Sequence, residues 1–162
     1  NEFFYYADPS LMASDSGLRI RTTRDFDTDA TNACLTFKGP RLTGRVKRRP
    51  EHEVEIQPDD TASLRYLIEA LGYQQQLAFE KKRERYRLHA CTIELDQLPQ
   101  IGSFIEIEGP GEDAIMQLAE QLGFEDKPMI YESYAAMVSR YLAEHTYLKT
   151  LRFDEELIDH KQ

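Results

Sequence analysis

Charged side chains recur along this chain in sets spaced two residues apart, with apolar residues between them. The sets are Arg19/Arg21, Glu51/Glu53/Glu55, Lys81/Arg83/Arg85, Glu94/Asp96 and Glu106/Glu108; Lys47/Arg49 and Thr36/Lys38 follow the same rule. The intervening residues are mostly aliphatic or aromatic: Leu18 and Ile20, Leu35 and Phe37, Val54 and Ile56, Ile93 and Leu95, Ile105 and Ile107. In a strand, residues i and i+2 point to the same side. Each segment therefore has one apolar and one charged face, as an antiparallel sheet does when one side is buried. Two arrangements satisfy this. Either the charged face meets water, or the sheet closes, with helices over its apolar side and its charges pointing inward.

The signs of the charges favour closure. Some strands carry only cations on the charged face and others only carboxylates. Grouped carboxylates repel unless a cation joins them, and grouped Arg and Lys repel unless an anion does. A metal–polyphosphate complex supplies both partners. Carboxylate oxygens suit Mg²⁺ or Mn²⁺, and Arg forks suit phosphate oxygens. The expected fold is α+β: a closed or nearly closed antiparallel β-barrel, a tunnel with a charged interior, covered outside by helices.

Strands are expected at 2–6, 18–24, 32–40, 51–56, 91–96 and 103–108. Residues 79–88 (FEKKRERYRL) read as one long strand, although Lys82 and Glu84 then fall on its apolar side. The period changes at 61–71, where Leu64, Leu67, Ile68 and Leu71 share a helical face, Asp60 or Thr61 can cap the start and Gly72 can end it. A second helix runs from Glu112 to Gly123, with Ile115, Leu118, Ala119 and Leu122 inward. A third starts at Ser133 and carries Tyr134, Met137, Val138, Tyr141 and Leu142. A weak repeat relates Glu53-Val54-Glu55, helix, Leu71-Gly72 to Glu106-Ile107-Glu108, helix, Leu122-Gly123. Residues 1–145 read as one domain, and 146–162 as a tail or peripheral helix.

The 162 residues suit a single core, and 41% hydrophobic with 30% charged residues is a globular composition. No apolar run approaches the ~20 residues of a membrane helix, and no secretory signal is visible at the start. The net charge of −9 opposes general nucleic-acid binding. Even so, residues 19–49 hold nine Arg and Lys against Asp25, Asp27 and Asp29, a local basic field that points to a bound anion. The basic stretch 41–49 lacks the aromatic interleaving of a nucleic-acid platform. Cys34 and Cys91 stand far apart with no metal-ligand spacing, which fits reduced thiols in a cytoplasmic protein.

Six segments, in order, resemble a known family: LRIR at 18–21, TFKGP at 36–40, KRRPEHE at 47–53, EKKR at 80–83, LDQLPQIGSFIEIE at 95–108 and SY at 133–134. They are similar to the CYTH superfamily, the triphosphate tunnel enzymes, which include class IV adenylate cyclases, thiamine triphosphatases and inorganic triphosphatases. The KGP turn and the run Lys47, Arg49, Glu51, Glu53 look most like the cyclase branch. The resemblance implies that Arg19, Arg21, Lys38, Lys47, Arg49, Lys81 and Arg83 contact phosphate oxygens, with Lys38 and Arg83 as the catalytic cations. It implies that Glu106 and Glu108 bind Mg²⁺ or Mn²⁺, with Glu51, Glu53 or Asp96 nearby as ligand or orienting partner. The implied partners are a nucleoside triphosphate or an inorganic or organic polyphosphate, and a second copy in a homodimer, with no nucleic acid and no membrane.

The implied function is metal-dependent conversion of ATP to cyclic AMP and pyrophosphate. The alternatives are a triphosphatase and a non-catalytic nucleotide- or polyphosphate-binding module. The family normally opens with a strand bearing Glu-x-Glu-x-Lys, and none precedes EFFYY. Either the natural start is missing, or the site is incomplete and one barrel edge needs another cover.

Overall fold

The protein is described by a computed structural model covering residues 1–42 and 49–153. Lys47 and most of the basic stretch 41–49 lie outside the described residues, as does the end of the chain from residue 154. The alternating segments form β1 (Glu2–Ala7), β2 (Gly17–Arg24), β3 (Thr31–Lys38), β4 (Glu51–Ile56), β5 (Gln74–Glu80), β6 (Lys82–Leu88), β7 (Cys91–Leu98) and β8 (Gly102–Glu108). The helices are α1 (Pro9–Ala13), α2 (Thr61–Ala70), α3 (Glu112–Gln121) and α4 (Tyr134–Glu144). The short α1 stands where the sequence reads as a turn; Asp8 caps it by accepting the Leu11 N–H at 2.8 Å.

The strands form two antiparallel sheets. One has the order β4-β3-β2-β1-β5, and the other is the meander β6-β7-β8. The antiparallel α+β architecture is as expected, but hydrogen bonding does not close it into a single barrel. Among the described residues the outer edges of β4 and β8 have no strand beside them. Residues 79–88 are also not one strand. The chain breaks at Lys81, so the apolar part belongs to β5 and the charged part to β6. This break accounts for Lys82 and Glu84: their side of β6 is exposed and has no apolar face to complete.

Two apolar clusters hold the layers together. On one face of the large sheet, Phe4, Tyr6, Ile20 and Ala78 pack with Ile68 of α2. This is the outer covering the sequence predicts, and Gly72 ends the helix with φ +95°. The other cluster lies on the opposite face: Phe3 and Phe79 pack with Leu98, Val138 of α4 and Leu151. Here the expectation of helices only outside needs correction. Phe3 and Tyr5 share the cleft-facing parity of β1, and α4 sits on that side. The reason is local: Leu77, Phe79, Phe3 and Tyr5 make this part of the inward face apolar, so a helix must bury it.

The chain beyond α4 also enters this cluster. Leu151 is buried and bridges to Phe79, its backbone exchanging hydrogen bonds with Ala78 and Glu80. Arg152 meets Glu2 and Glu80 at 2.6 and 3.5 Å.

Candidate functional site

The charged faces of both sheets line one cleft of about 1780 Å³. Strand parity puts them there. Arg19, Arg21 and Thr23 of β2 face the same side as Thr36 and Lys38 of β3, since Arg19 pairs with Thr36 and Gly17 with Lys38 in the ladder. Glu51 and Glu53 of β4 pair with Lys38 and Thr36. Opposite signs therefore meet across strands, although each strand carries a single sign. Arg21 reaches Glu53 Oε1 at 3.0 Å, and Lys38 reaches Glu51 at 2.5 Å. Arg19 donates to Thr36 Oγ1 at 3.1 Å and lies 3.5 Å from Glu53. The protein thus satisfies internally part of the charge that the sequence reading assigned to a ligand.

The balance is incomplete. Arg19 is buried, and its Nε has no acceptor among the described residues. A buried unsatisfied guanidinium donor is costly and readily takes an added anion. Burial, and then the charge of Arg19, lower the Lys38 pKa below the ordinary lysine value. For Glu53, burial acts upward, but the hydrogen bond from Thr36 and the charge of Arg21 outweigh it and hold the carboxyl low.

The second group lies on the small sheet. Arg83 faces Asp96 across β6 and β7, while Glu94 faces both Arg85 on β6 and Glu106 on β8. Arg83 binds Asp96 Oδ1 through Nε at 2.6 Å and Glu106 through Nη2 at 2.7 Å, and its Nη1 pairs with Glu94. Lys81 donates to Asp96 Oδ2 at 3.0 Å, with its ammonium 4.9 Å from the ring centre of Tyr134. Glu94 and Asp96 are 0% and 2% exposed. For Asp96, burial acts upward, but Arg83 and Lys81 reverse it and hold the acid low. Burial, then the charges of Glu106 and Asp96, push the Tyr134 hydroxyl well up.

Carboxylate oxygens of Glu94, Asp96 and Glu106 lie within 4.8 Å of one another. An all-oxygen set, with Glu94 and Asp96 buried and Glu106 half-buried, suits a hard divalent cation. Arg83 already bridges this set, so a metal ion there would compete with its guanidinium for the same oxygens.

The predicted site residues fall in different places. Arg19, Arg21, Lys38, Lys81, Arg83, Glu51 and Glu106 line the cleft. Asp96 is buried and held by Arg83, and the exposed Glu53 pairs with Arg19 and Arg21. Glu108 also lines the cleft but stands outside the carboxylate set, opposite Thr92; burial and the charge of Glu94 raise its pKa. Arg49 donates to the carbonyls of Gly39 at 2.7 Å and Asp15 at 2.5 Å, bracing the turn after β3 from the cleft's edge. Lys47 lies outside the described residues. Glu94 is not among the metal ligands expected from the sequence, yet it belongs to the carboxylate set. The signal was present in its i+2 spacing to Asp96, but only the register shows it opposite Glu106.

Comparison with known proteins agrees with this architecture. A "Putative adenylate cyclase" of Methanocaldococcus jannaschii is 31% identical over 106 residues, covering 65% of this chain. The chain spans only 56% of that relative's length. A solved Pyrococcus horikoshii protein superposes with a TM-score of 0.75 at 31% identity, over 86% of this chain and 83% of the other. A structure titled a putative adenylate cyclase from Vibrio parahaemolyticus gives 0.67 at 21% identity, over 85% and 79% of the two chains, and shares the fold. The model of the CYTH domain matches residues 1–134, most of the chain. On that match, this chain belongs to the CYTH domain family.

Proposed function

We propose that the cleft binds a triphosphate together with a divalent metal, and that the chain takes part in adenylate cyclase-like conversion of ATP to cyclic AMP and pyrophosphate. One observation carries this reading: cations from both sheets and the link between them (Arg19, Arg21, Lys38, Lys81 and Arg83) converge on a single cleft beside three carboxylates, two of them buried. The name of the Methanocaldococcus jannaschii relative supports the cyclase reading.

In this reading the protein works by positioning and charge neutralisation. Arg19, through the Nε that has no acceptor among the described residues, and Arg21 hold phosphate oxygens from one wall, with Lys38 beside them. Lys81 and Arg83 approach from the other wall. Glu94, Asp96 and Glu106 would hold Mg²⁺ or Mn²⁺, with Glu51, Glu53 and Glu108 adjusting the surrounding field. The metal, when bound, supplies Lewis-acid neutralisation of phosphate charge. Arg83, at the cleft wall, would meet a phosphate oxygen, and Lys38 would offset charge developing in the transition state. In a cyclase the ribose 3′-hydroxyl attacks the α-phosphorus and pyrophosphate leaves.

The test is incubation with ATP and with inorganic triphosphate, each with Mg²⁺ and with Mn²⁺. Cyclic AMP with pyrophosphate supports the cyclase reading. Orthophosphate release would replace it with a triphosphatase. Tight binding without product would make the chain a polyphosphate-binding module.

A further inference from the structure

The cationic part of the cleft accounts for phosphates and leaves one end without a role. Beyond Arg21 the same face of β2 continues with Thr23, whose ladder partner on β3 is Asn32. Both line the cleft, and neither is charged. Past them, the β2–β3 connection places Phe26 at the cleft with 78% of its surface exposed. Phe26 belongs to neither apolar cluster, so the fold does not use it.

The turn that carries Phe26 is well braced. Asp25 Oδ1 accepts the N–H groups of Asp27 and Thr28, both at 2.9 Å. The Asp25 N–H donates to the Ala30 carbonyl at 2.8 Å, and Arg24 pairs with Asp29 at 2.7 Å. A large apolar ring held in water on an ordered turn gains nothing from burial in the free protein, yet it offers a flat face at a cleft wall.

Along one strand face the cleft thus runs from guanidinium groups, through neutral hydrogen-bonding groups, to an aromatic ring. A nucleoside triphosphate has its parts in the matching order: phosphates, sugar hydroxyls, base. From Arg19 to Thr23 the strand advances about 13 Å at ~3.3 Å per residue, room for the ligand to lie extended.

We propose that Phe26 is the base-stacking, specificity-determining residue of this cleft, with Thr23 and Asn32 facing the sugar of a nucleoside triphosphate whose phosphates lie at Arg19 and Arg21. This rests on the reading of the cleft as a triphosphate site and adds the end that separates a nucleotide from inorganic triphosphate.

Two variants test it, with the α,β-methylene analogue of ATP and inorganic triphosphate as probes, both with Mg²⁺. The chain contains no tryptophan, so Phe26→Trp places a lone indole at the proposed stacking position. The nucleotide analogue should quench its fluorescence strongly and inorganic triphosphate hardly at all. By calorimetry, Phe26→Ala should weaken the analogue about tenfold, the usual scale of one lost base–aromatic stack, and leave inorganic triphosphate within about twofold. Equal quenching by both probes, or an unchanged analogue affinity in Phe26→Ala, overturns the inference while the triphosphate reading stands. Failure of the wild-type protein to bind inorganic triphosphate overturns that reading and this inference with it.

Discussion

Arg83 and Asp96 sit opposite each other on β6 and β7, and the guanidinium grips both carboxylate oxygens, Nε to Oδ1 at 2.6 Å and Nη2 to Oδ2 at 2.5 Å. The same side chain also reaches Glu94 and Glu106. Removing it leaves grouped carboxylates short of their central cation. Arg83→Met should therefore destabilise the protein by about 3–5 kcal/mol, the range for breaking a buried pair from one side, read from urea unfolding. Added Mg²⁺ should restore more stability to this variant than it adds to the wild type. Equal metal effects on both proteins would contradict the carboxylate set as a cation site.

Asp96 also sets an acid limit. Its folded-state pKa lies below the ordinary aspartate value of 3.8, because Arg83 and Lys81 outweigh burial. A depressed carboxyl stabilises the fold fully above its unfolded value, and that stability is lost as pH falls through the folded one. Glu53 acts in the same direction. Unfolding free energy should thus decline as pH drops below about 4, and Asp96→Asn should flatten that decline. An unchanged acid limb in Asp96→Asn would show that the grip of Arg83 does not shift its titration.

Binding and folding separate on the large sheet. Arg21 and Lys38 line the part of the cleft where β2 and β3 meet β4 and pair with Glu53 and Glu51, whereas Arg24, at the far end of the cleft, is exposed and pairs with Asp29. Arg21→Ala and Lys38→Ala should each weaken inorganic triphosphate by tenfold or more, on the scale of about 1.5–3 kcal/mol for a charged hydrogen bond, and leave circular dichroism unchanged. Arg24→Ala should stay within about twofold, as expected for an exposed pair. Unchanged affinity in both cleft variants would remove the anion from this wall.

Leu151 tests the segment after α4. It is buried between Phe79 and Val138, so Leu151→Ala should cost about 2–5 kcal/mol in the midpoint of chemical unfolding. A cost under about 0.5 kcal/mol, usual for surface positions, would mean that the segment does not belong to the core.

Much of this was legible from periodicity. The pattern placed six of the eight strands within a residue or two, and the face of Leu64, Leu67 and Ile68 located α2. Two readings failed for one reason: residues near Lys81 and Tyr134 answer to partners distant in sequence. Lys81 separates the last strand of one sheet from the first of the other, which no local pattern marks. The apolar face of α4 fits an outer helix as well as an inner one, and its side is fixed by Phe3 and Phe79. The i+2 rule likewise gave Arg83, Glu94, Asp96 and Glu106 a common face without saying which would touch.

The sequence by itself determined that this chain builds antiparallel strands with one charged face, because side-chain direction in a strand alternates with a period of two whatever the strand pairs with. It also carried the ordered segments by which the family is known. Only the tertiary structure decided that the signs neutralise across strands, that Glu94 completes a carboxylate set around Arg83, and that Thr23, Asn32 and Phe26 extend the cleft beyond Arg19 and Arg21. These depend on register and on how two sheets meet. Register is a relation between distant segments, set by burying the apolar faces together, and no single strand contains it.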